Sequence, residues 1–277
     1  MSNNPLSKLY RNKSIFIQLP SKGKYYTSGI DLSIDGELGI MPMTAYDEIS
    51  LKSPDSLFNG DGLINLIKSC VPDIKNPEEI PSCDIDPIII GIRAASNKIL
   101  ETEVECPHCK TEQIFNLDLT MLLSSFTPIN EDNTVILSEN TKVIIRPYSL
   151  RSQLKTNIQT FHQMRMEAIL NNNDSISDEK KLELFNTAFA EATKLTIELV
   201  ADNIVAVELD NVTVTEKEHI FEWVQNMDKQ TYKIIVDKIK ELSSNTLDKT
   251  MTVQCSNSEC NNTFETLVDL NPVSFFT

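Results

Sequence analysis

The sequence predicts an α+β fold: a zinc-ribbon-like pair of β-hairpins clasped around one zinc ion, with a large, mostly helical insertion and an extended N-terminal arm. Three observations predict it. Cysteines fall in two short clusters, Cys106-Pro107-His108-Cys109 and Cys255-Ser256-Asn257-Ser258-Glu259-Cys260, each among strand-forming residues. The long stretch between the clusters is dominated by apolar residues at helical spacing. Residues 1–58 carry no sustained period and are punctuated by Pro and Gly.

Within the arm, Ile15-Phe16-Ile17-Gln18-Leu19 reads as a short strand stopped by Pro20, and Ser21-Lys22-Gly23-Lys24 as a turn. Asp31, Ser33, Asp35 and Gly36 imitate a calcium loop, but Pro42 stands where that loop needs a bidentate Glu, so a strand and turn is expected instead. Phe16, Tyr25 and Tyr26 either lie on a neighbouring chain or pack on the chain's own core. Residues 59–277 form a discontinuous main domain. Residues 59–100 read as helical, with Leu63, Ile64, Ile67 and Val71 on one face. A second, nearly all-apolar helix there is expected to start at Asp86 as N-cap with Pro87 in the first turn.

Residues 101–147 turn to β character through Thr102, Val104, Ile114, Phe115, Leu117, Val135, Ile136 and Val143-Ile144-Ile145. Residues 148–249 return to helix. Leu182, Phe185, Phe189, Ala192, Leu195 and Leu199 make a stripe, and Thr215 with Glu218 suggests a capping box ahead of Ile220, Phe221 and Trp223. Asn171-Asn172-Asn173-Asp174-Ser175 is a polar break between helices. Residues 250–277 resume the β pattern, carry the second cysteine cluster and form a C-terminal tail.

The two clusters look like relatives. Val104 and Val253 precede them at the same distance, Phe115 and Phe264 follow, and Asp118-Leu119 and Asp269-Leu270 stand equally far beyond the second cysteine. Two thiolates a few residues apart turn inward to one ion, and a tetrahedral zinc needs a second such pair from elsewhere. Cys106, Cys109, Cys255 and Cys260 are therefore the expected ligands of one structural zinc per chain. Four sulfurs leave no position for water, which marks a structural rather than a catalytic site. A redox pair in the CPHC segment and four unconnected thiols are the competing readings. His108 reads as a solvated knuckle residue, and Cys70 and Cys83 as buried thiols. Phe275 and Phe276 either cover the small zinc module or anchor a partner.

Charge and motifs exclude several classes. A formal net charge of −15 repels phosphate backbones and anionic lipid. The apolar run around Pro87–Ile92 is far short of the roughly 20 residues of a membrane-spanning helix. The opening MSNNPLSKLYRNK lacks the apolar run of a signal peptide, which implies a reducing compartment where cysteines stay as thiols or bind metal. Only three histidines are present, and no nucleophile elbow, phosphate-binding loop or metalloprotease motif accompanies them. No catalytic or small-molecule site is expected.

The segments Leu19-Pro20-Ser21-Lys22-Gly23-Lys24-Tyr25-Tyr26 and Ile40-Met41-Pro42-Met43-Thr44-Ala45-Tyr46-Asp47-Glu48 add a further signal. So do Asn59-Gly60 before a Leu-Ile-Lys-Ser-Cys-Val helix, the two knuckles and the Asp-Leu-Asn-Pro-Val-Ser-Phe-Phe ending. Together they resemble the baseplate hub subunit and hub assembly family of T-even-type contractile-tailed bacteriophages. The resemblance implies a non-enzymatic structural or assembly protein, at work in the host cytoplasm during assembly and either retained in the virion tail baseplate or released as an assembly chaperone. Its implied partners are other hub and tail proteins, including a tape-measure protein, with no nucleic acid, membrane or small-molecule substrate. A zinc-ribbon nucleic-acid-binding regulator is the rival, distinguished by salt-dependent binding to DNA or RNA. Carboxylates converging in a deep cleft would instead argue for an enzyme.

Overall fold

A computed structural model describes residues 4–51, 60–172, 177–210, 212–244, 247, 250–268 and 275, with the backbone alone at 167–172 and 178. Asn59, Asn173-Asp174-Ser175, Asp269-Leu270 and Phe276 lie outside the described residues. The chain divides into two compact units. One comprises Met1–Pro77, Asp84–Pro128 and Asn245–Thr277; the other comprises Glu78–Cys83 and Ile129–Ser244.

In the first unit, β1 (Ile15–Gln18) pairs antiparallel with β2 (Glu37–Ile40), Ile17 opposite Leu38. The strand period of two puts Ile17 inside and Phe16 outside. The Asp35-Gly36 turn, with Gly36 at φ 77°, leads into β2, so the strand follows the turn rather than the Asp31–Ser33 run. Helices α1 (Ala45–Leu51), α2 (Asp61–Cys70) and α3 (Ser82–Ser96) follow. Leu38, Ile40, Ile67, Ile88, Ile90 and Ile92 are fully buried and form much of the core.

The sheet presses on α3 at Gly91. A Cβ there would stand 2.4 Å from Ile40 Cδ1 and 3.5 Å from Ile17 Cδ1. Alanine would gain about 1 kcal/mol of helix propensity, whereas overpacking costs about 1–3 kcal/mol. Gly91→Ala is therefore expected to lower stability by about 1 kcal/mol net in denaturant titration, against the propensity gain. An increase in stability would show that the sheet yields freely.

The start of α3 differs from the sequence reading. It begins at Ser82, and Pro87 lies inside it. A proline this near the N-terminus forfeits a single backbone bond, and the first turn is fixed by other means. The buried Asp84 carboxylate accepts from the Ser21 backbone N–H (2.9 Å), the Tyr26 hydroxyl (2.9 Å) and the Ser21 hydroxyl. A carboxylate there also complements the helix dipole.

The same contacts place Tyr26 on the chain's own core. Tyr26 is buried with Ile17 and Leu19 in the unit's own core, Tyr25 is half-buried, and Phe16 is exposed. Arg11 ties down the preceding segment. Its guanidinium donates to Ser69 O (2.7 Å) and lies 3.2 Å from Asp47. Asp47 in turn closes a reciprocal cap at the start of α1: Thr44 N donates to Asp47 Oδ2 (2.8 Å), and Asp47 N donates to Thr44 Oγ1 (3.2 Å). Residues beyond α3 form the antiparallel hairpin β3 (Ile99–Glu105) and β4 (Glu112–Asp118), then the short α4 (Leu119–Ser124) capped by Asp118.

The second unit is built on a four-stranded antiparallel sheet in the order β5 (Thr134–Ser138), β6 (Thr141–Ile145), β7 (Ile204–Leu209), β8 (Val212–Val214). Helices α5 (Leu150–Asn172) and α6 (Asp178–Asp202) run between β6 and β7, and α7 (Lys217–Asn226) and α8 (Lys229–Ser243) follow β8. Val143, Ile145, Ile204, Ile220, Ile235 and Ile239 sit in its core. The insertion is thus not helical throughout 148–249. The run Ile204-Val205-Ala206-Val207 is a strand because it pairs with β6, a long-range partner that local periodicity does not register. The Thr215/Glu218 capping box does not form. Helix α7 starts at Lys217 with Glu216 as N-cap, whose carboxylate accepts from the Thr215 N–H (3.1 Å).

Helices α5 and α6 extend well past this core. No described side chain is buried from Lys155 to Met166 or from Glu179 to Leu199. None of the described helices is long and apolar enough to cross a membrane. The last strands, β9 (Thr250–Gln254) and β10 (Thr263–Leu267), return to the first unit as a second hairpin, followed by the buried Phe275.

Candidate metal centre

Each hairpin closes on a knuckle built in the same way. In the first, Cys106 N donates to Thr111 O (3.0 Å) and Lys110 N to Cys106 O (2.9 Å). In the second, Cys255 N donates to Asn262 O (2.8 Å) and Asn261 N to Asn257 O (3.0 Å). The residue after the second cysteine takes a left-handed backbone in both, Lys110 at φ 62° and Asn261 at φ 46°. That turn sends the chain back into the return strand and leaves both sulfurs of a pair on the inner side.

The sulfurs of Cys106, Cys109, Cys255 and Cys260 all lie within 4.8 Å of one another. Across the knuckles, Cys109 and Cys255 are 3.5 Å apart and Cys106 and Cys260 are 3.9 Å apart. A disulfide would need about 2.05 Å, and none of the six cysteines is in a disulfide. A tetrahedral zinc with bonds of about 2.3 Å sets its sulfurs about 3.8 Å apart. The cluster is therefore compatible with zinc in both donor type and spacing. Among the described residues it brings together all four cysteines expected from the sequence. Cys70 and Cys83 are buried elsewhere, and the Arg11 guanidinium donates to the Cys70 sulfur (3.5 Å).

The thiols do not titrate alike. The Cys109 backbone N–H, aided by that of His108, holds the Cys106 thiol below its ordinary range against burial. The Thr111 hydroxyl and then its backbone N–H bring Cys109 down to about 6. At Cys255 the Asn257 backbone N–H pulls down, but burial and the contacts with Cys109 and Cys106 push the thiol up to about 12. Cys260 is also raised, because burial and the same two neighbours outweigh the Asn262 backbone N–H. Two sulfurs take charge first, and the thiols opposite keep their protons by donating them to those thiolates.

Sequence reasoning missed the side chains around the sulfurs. His108 is not merely solvated: its Nδ1 lies 3.4 Å from Cys260 Sγ, on the opposite knuckle. Asn262 Nδ2 reaches 3.9 Å toward Cys106 Sγ in the other direction. The Thr111 hydroxyl is 3.1 Å from Cys109 Sγ. Thr111 and Asn262 each stand two places after the second cysteine, which is the one signal the sequence offered for them.

Glu139, Glu208 and Asp210, with Lys142, line a hollow of about 430 Å³ at the strand turns of the second unit. Glu139 and Asp210 are exposed, and Asp210 accepts from Asn140 (2.8 Å). The hollow is an open surface feature rather than the deep cleft an enzyme would need.

No curated protein and no solved structure matches the chain. Residues 12–277 match the family described as T4 bacteriophage base plate protein, a span that takes in most of the N-terminal arm, both knuckles and the whole insertion; the chain belongs to that family.

Proposed function

We propose that the chain is a non-enzymatic structural or assembly protein of the baseplate hub, and that one zinc ion on Cys106, Cys109, Cys255 and Cys260 clasps its two hairpins. The family match over residues 12–277 carries the baseplate role. The hub assignment rests on the resemblance of the Leu19–Tyr26 and Ile40–Glu48 segments, the knuckles and the C-terminal ending. The zinc assignment rests on four convergent sulfurs, which saturate the ion and leave no site for water. On this reading the metal clasps two hairpins that lie far apart in the chain but within one compact, discontinuous unit. The protein works in the host cytoplasm during assembly and in the virion tail baseplate, against hub and tail proteins that include a tape-measure chain.

Surface character supports an assembly role. On α6, Leu182, Phe185 and Phe189 are 61%, 59% and 66% exposed, and Ile158, Phe161 and Met164 are exposed on α5. Leu6, Leu9 and Tyr10 are exposed at the N-terminus. Runs of large apolar side chains on solvent-facing helices mark interaction surfaces. Co-purification of the full chain from infected cells, with mass-spectrometric identification of bound chains, tests the role. Recovery with hub and tail proteins is expected. Recovery alone would count against a hub role, and recovery with DNA or RNA in a salt-dependent manner would favour the nucleic-acid-binding regulator. Deleting residues 1–30 is a poor probe of docking, since it removes β1 and the buried Ile17, Leu19 and Tyr26.

A further inference from the structure

The two hairpins of the metal centre belong to separate two-stranded sheets. Among the described residues, no strand of one pairs with a strand of the other. Something else must hold the second knuckle against the first. Gln113, on β4, makes the required contacts. Its Nε2 donates to Gln254 O (2.9 Å), and its Oε1 accepts from Ser256 N (2.5 Å). Gln254 and Ser256 are the residues on either side of Cys255.

We infer that Gln113 is a positioning residue for the metal centre, its side-chain amide standing in for a missing strand pairing and fixing the Cys255 backbone from both sides before the ion binds. A primary amide offers a donor and an acceptor side by side, as a peptide group does. Only one orientation of the amide satisfies both contacts, because a flipped group would set donor against donor and acceptor against acceptor. Two bonds from one side chain therefore fix the position and direction of the strand end that carries Cys255. The Cys255 sulfur then sits 3.5 Å from that of Cys109, on the knuckle that follows β3. His108 toward Cys260 and Asn262 toward Cys106 complete the arrangement, one reaching from each knuckle to the other.

The inference rests on the zinc reading, and the test separates the two. Zinc affinity of the full chain is measured by competition with a chromophoric chelator, and coordination by the absorption spectrum of the cobalt(II)-loaded protein. Gln113→Ala is expected to weaken zinc binding about 10–100-fold, the usual cost of losing an outer-shell partner, while the cobalt spectrum stays that of a tetrahedral four-thiolate site. Asn116→Ala, at an exposed position on the same strand, is expected to leave affinity unchanged. Amide exchange at Ser256 should be slow in the wild type and fast in Gln113→Ala, with metal removed from both. Equal zinc affinity in wild type and Gln113→Ala would overturn the inference and leave the zinc reading standing. So would an equal loss in Asn116→Ala, which would mean general weakening of the hairpin. A wild type that takes up neither zinc nor cobalt would overturn both.

Discussion

Protein purified without added metal is expected to contain about one zinc per chain by elemental analysis, as the single four-sulfur site requires, and Cys255→Ser to contain essentially none. A serine hydroxyl is a poor zinc ligand, and three sulfurs leave the ion open to water and chelators. The expected effect is large. Structural zinc contributes about 10–16 kcal/mol of apparent binding energy in small zinc peptides, while a whole domain is stable by only about 5–15 kcal/mol. The loss should fall mainly on β9–β10, which in the metal-free chain keeps the Gln113 bonds but loses the four-sulfur clasp. Amide exchange should therefore speed up along β9 and β10, with the Ser256 amide still slowed by its bond to Gln113, while the β1–β2 sheet and α3, packed on their own apolar core, keep their protection.

The pH dependence has a definite sign. At neutral pH the metal-free cluster holds protons on Cys255 and Cys260, whose thiols are raised, while Cys109 has already lost its own. Metal binding displaces those protons, so zinc affinity rises with pH through the neutral range and falls on acidification as the thiolates are reclaimed. Calorimetry in buffers of differing ionisation enthalpy reads the proton release directly. A metal-free protein with full protection of both hairpins would show that the clasp is dispensable.

Particular residues show how much of this the sequence carried. The hairpins were readable because period-two alternation and turn residues are local, and because two cysteine pairs at knuckle spacing have few other uses. The stripe Leu182–Leu199 was readable as a helix, but not the exposure of Leu182, Phe185 and Phe189 within it, since periodicity says which face is apolar and not whether anything covers it. The strand β7 was hidden because its identity comes from pairing with β6, across the whole length of α5 and α6, and β8 in turn pairs with β7. The same holds for Asp84, which bonds Ser21 and Tyr26, and for Gln113, which bonds Gln254 and Ser256. Each looks like an ordinary polar residue until a distant segment is folded against it.

Replacing Phe185 and Phe189 together with Asp is expected to abolish recovery of tail partners while leaving the fold and the zinc content intact. The two positions are four apart on α6 and share a face with Leu182. Both rings are more exposed than buried, so their removal opens no cavity, and surface changes of this kind usually shift stability by no more than about 0.5 kcal/mol. The effect on binding is different in scale. Aromatic anchors of an interface cost about 2 kcal/mol or more each when removed, and two buried carboxylates add a desolvation penalty. Partner capture should fall by more than about 100-fold on these terms, at 1.4 kcal/mol per decade. Unchanged thermal unfolding and unchanged zinc content in the double variant would confirm that only the surface was altered. If tail proteins are still recovered in wild-type amounts, the α6 face is not the docking surface. The same experiment on Leu6, Leu9 and Tyr10, whose side chains are exposed just ahead of the Arg11 anchor, would then decide whether the N-terminal segment takes that role.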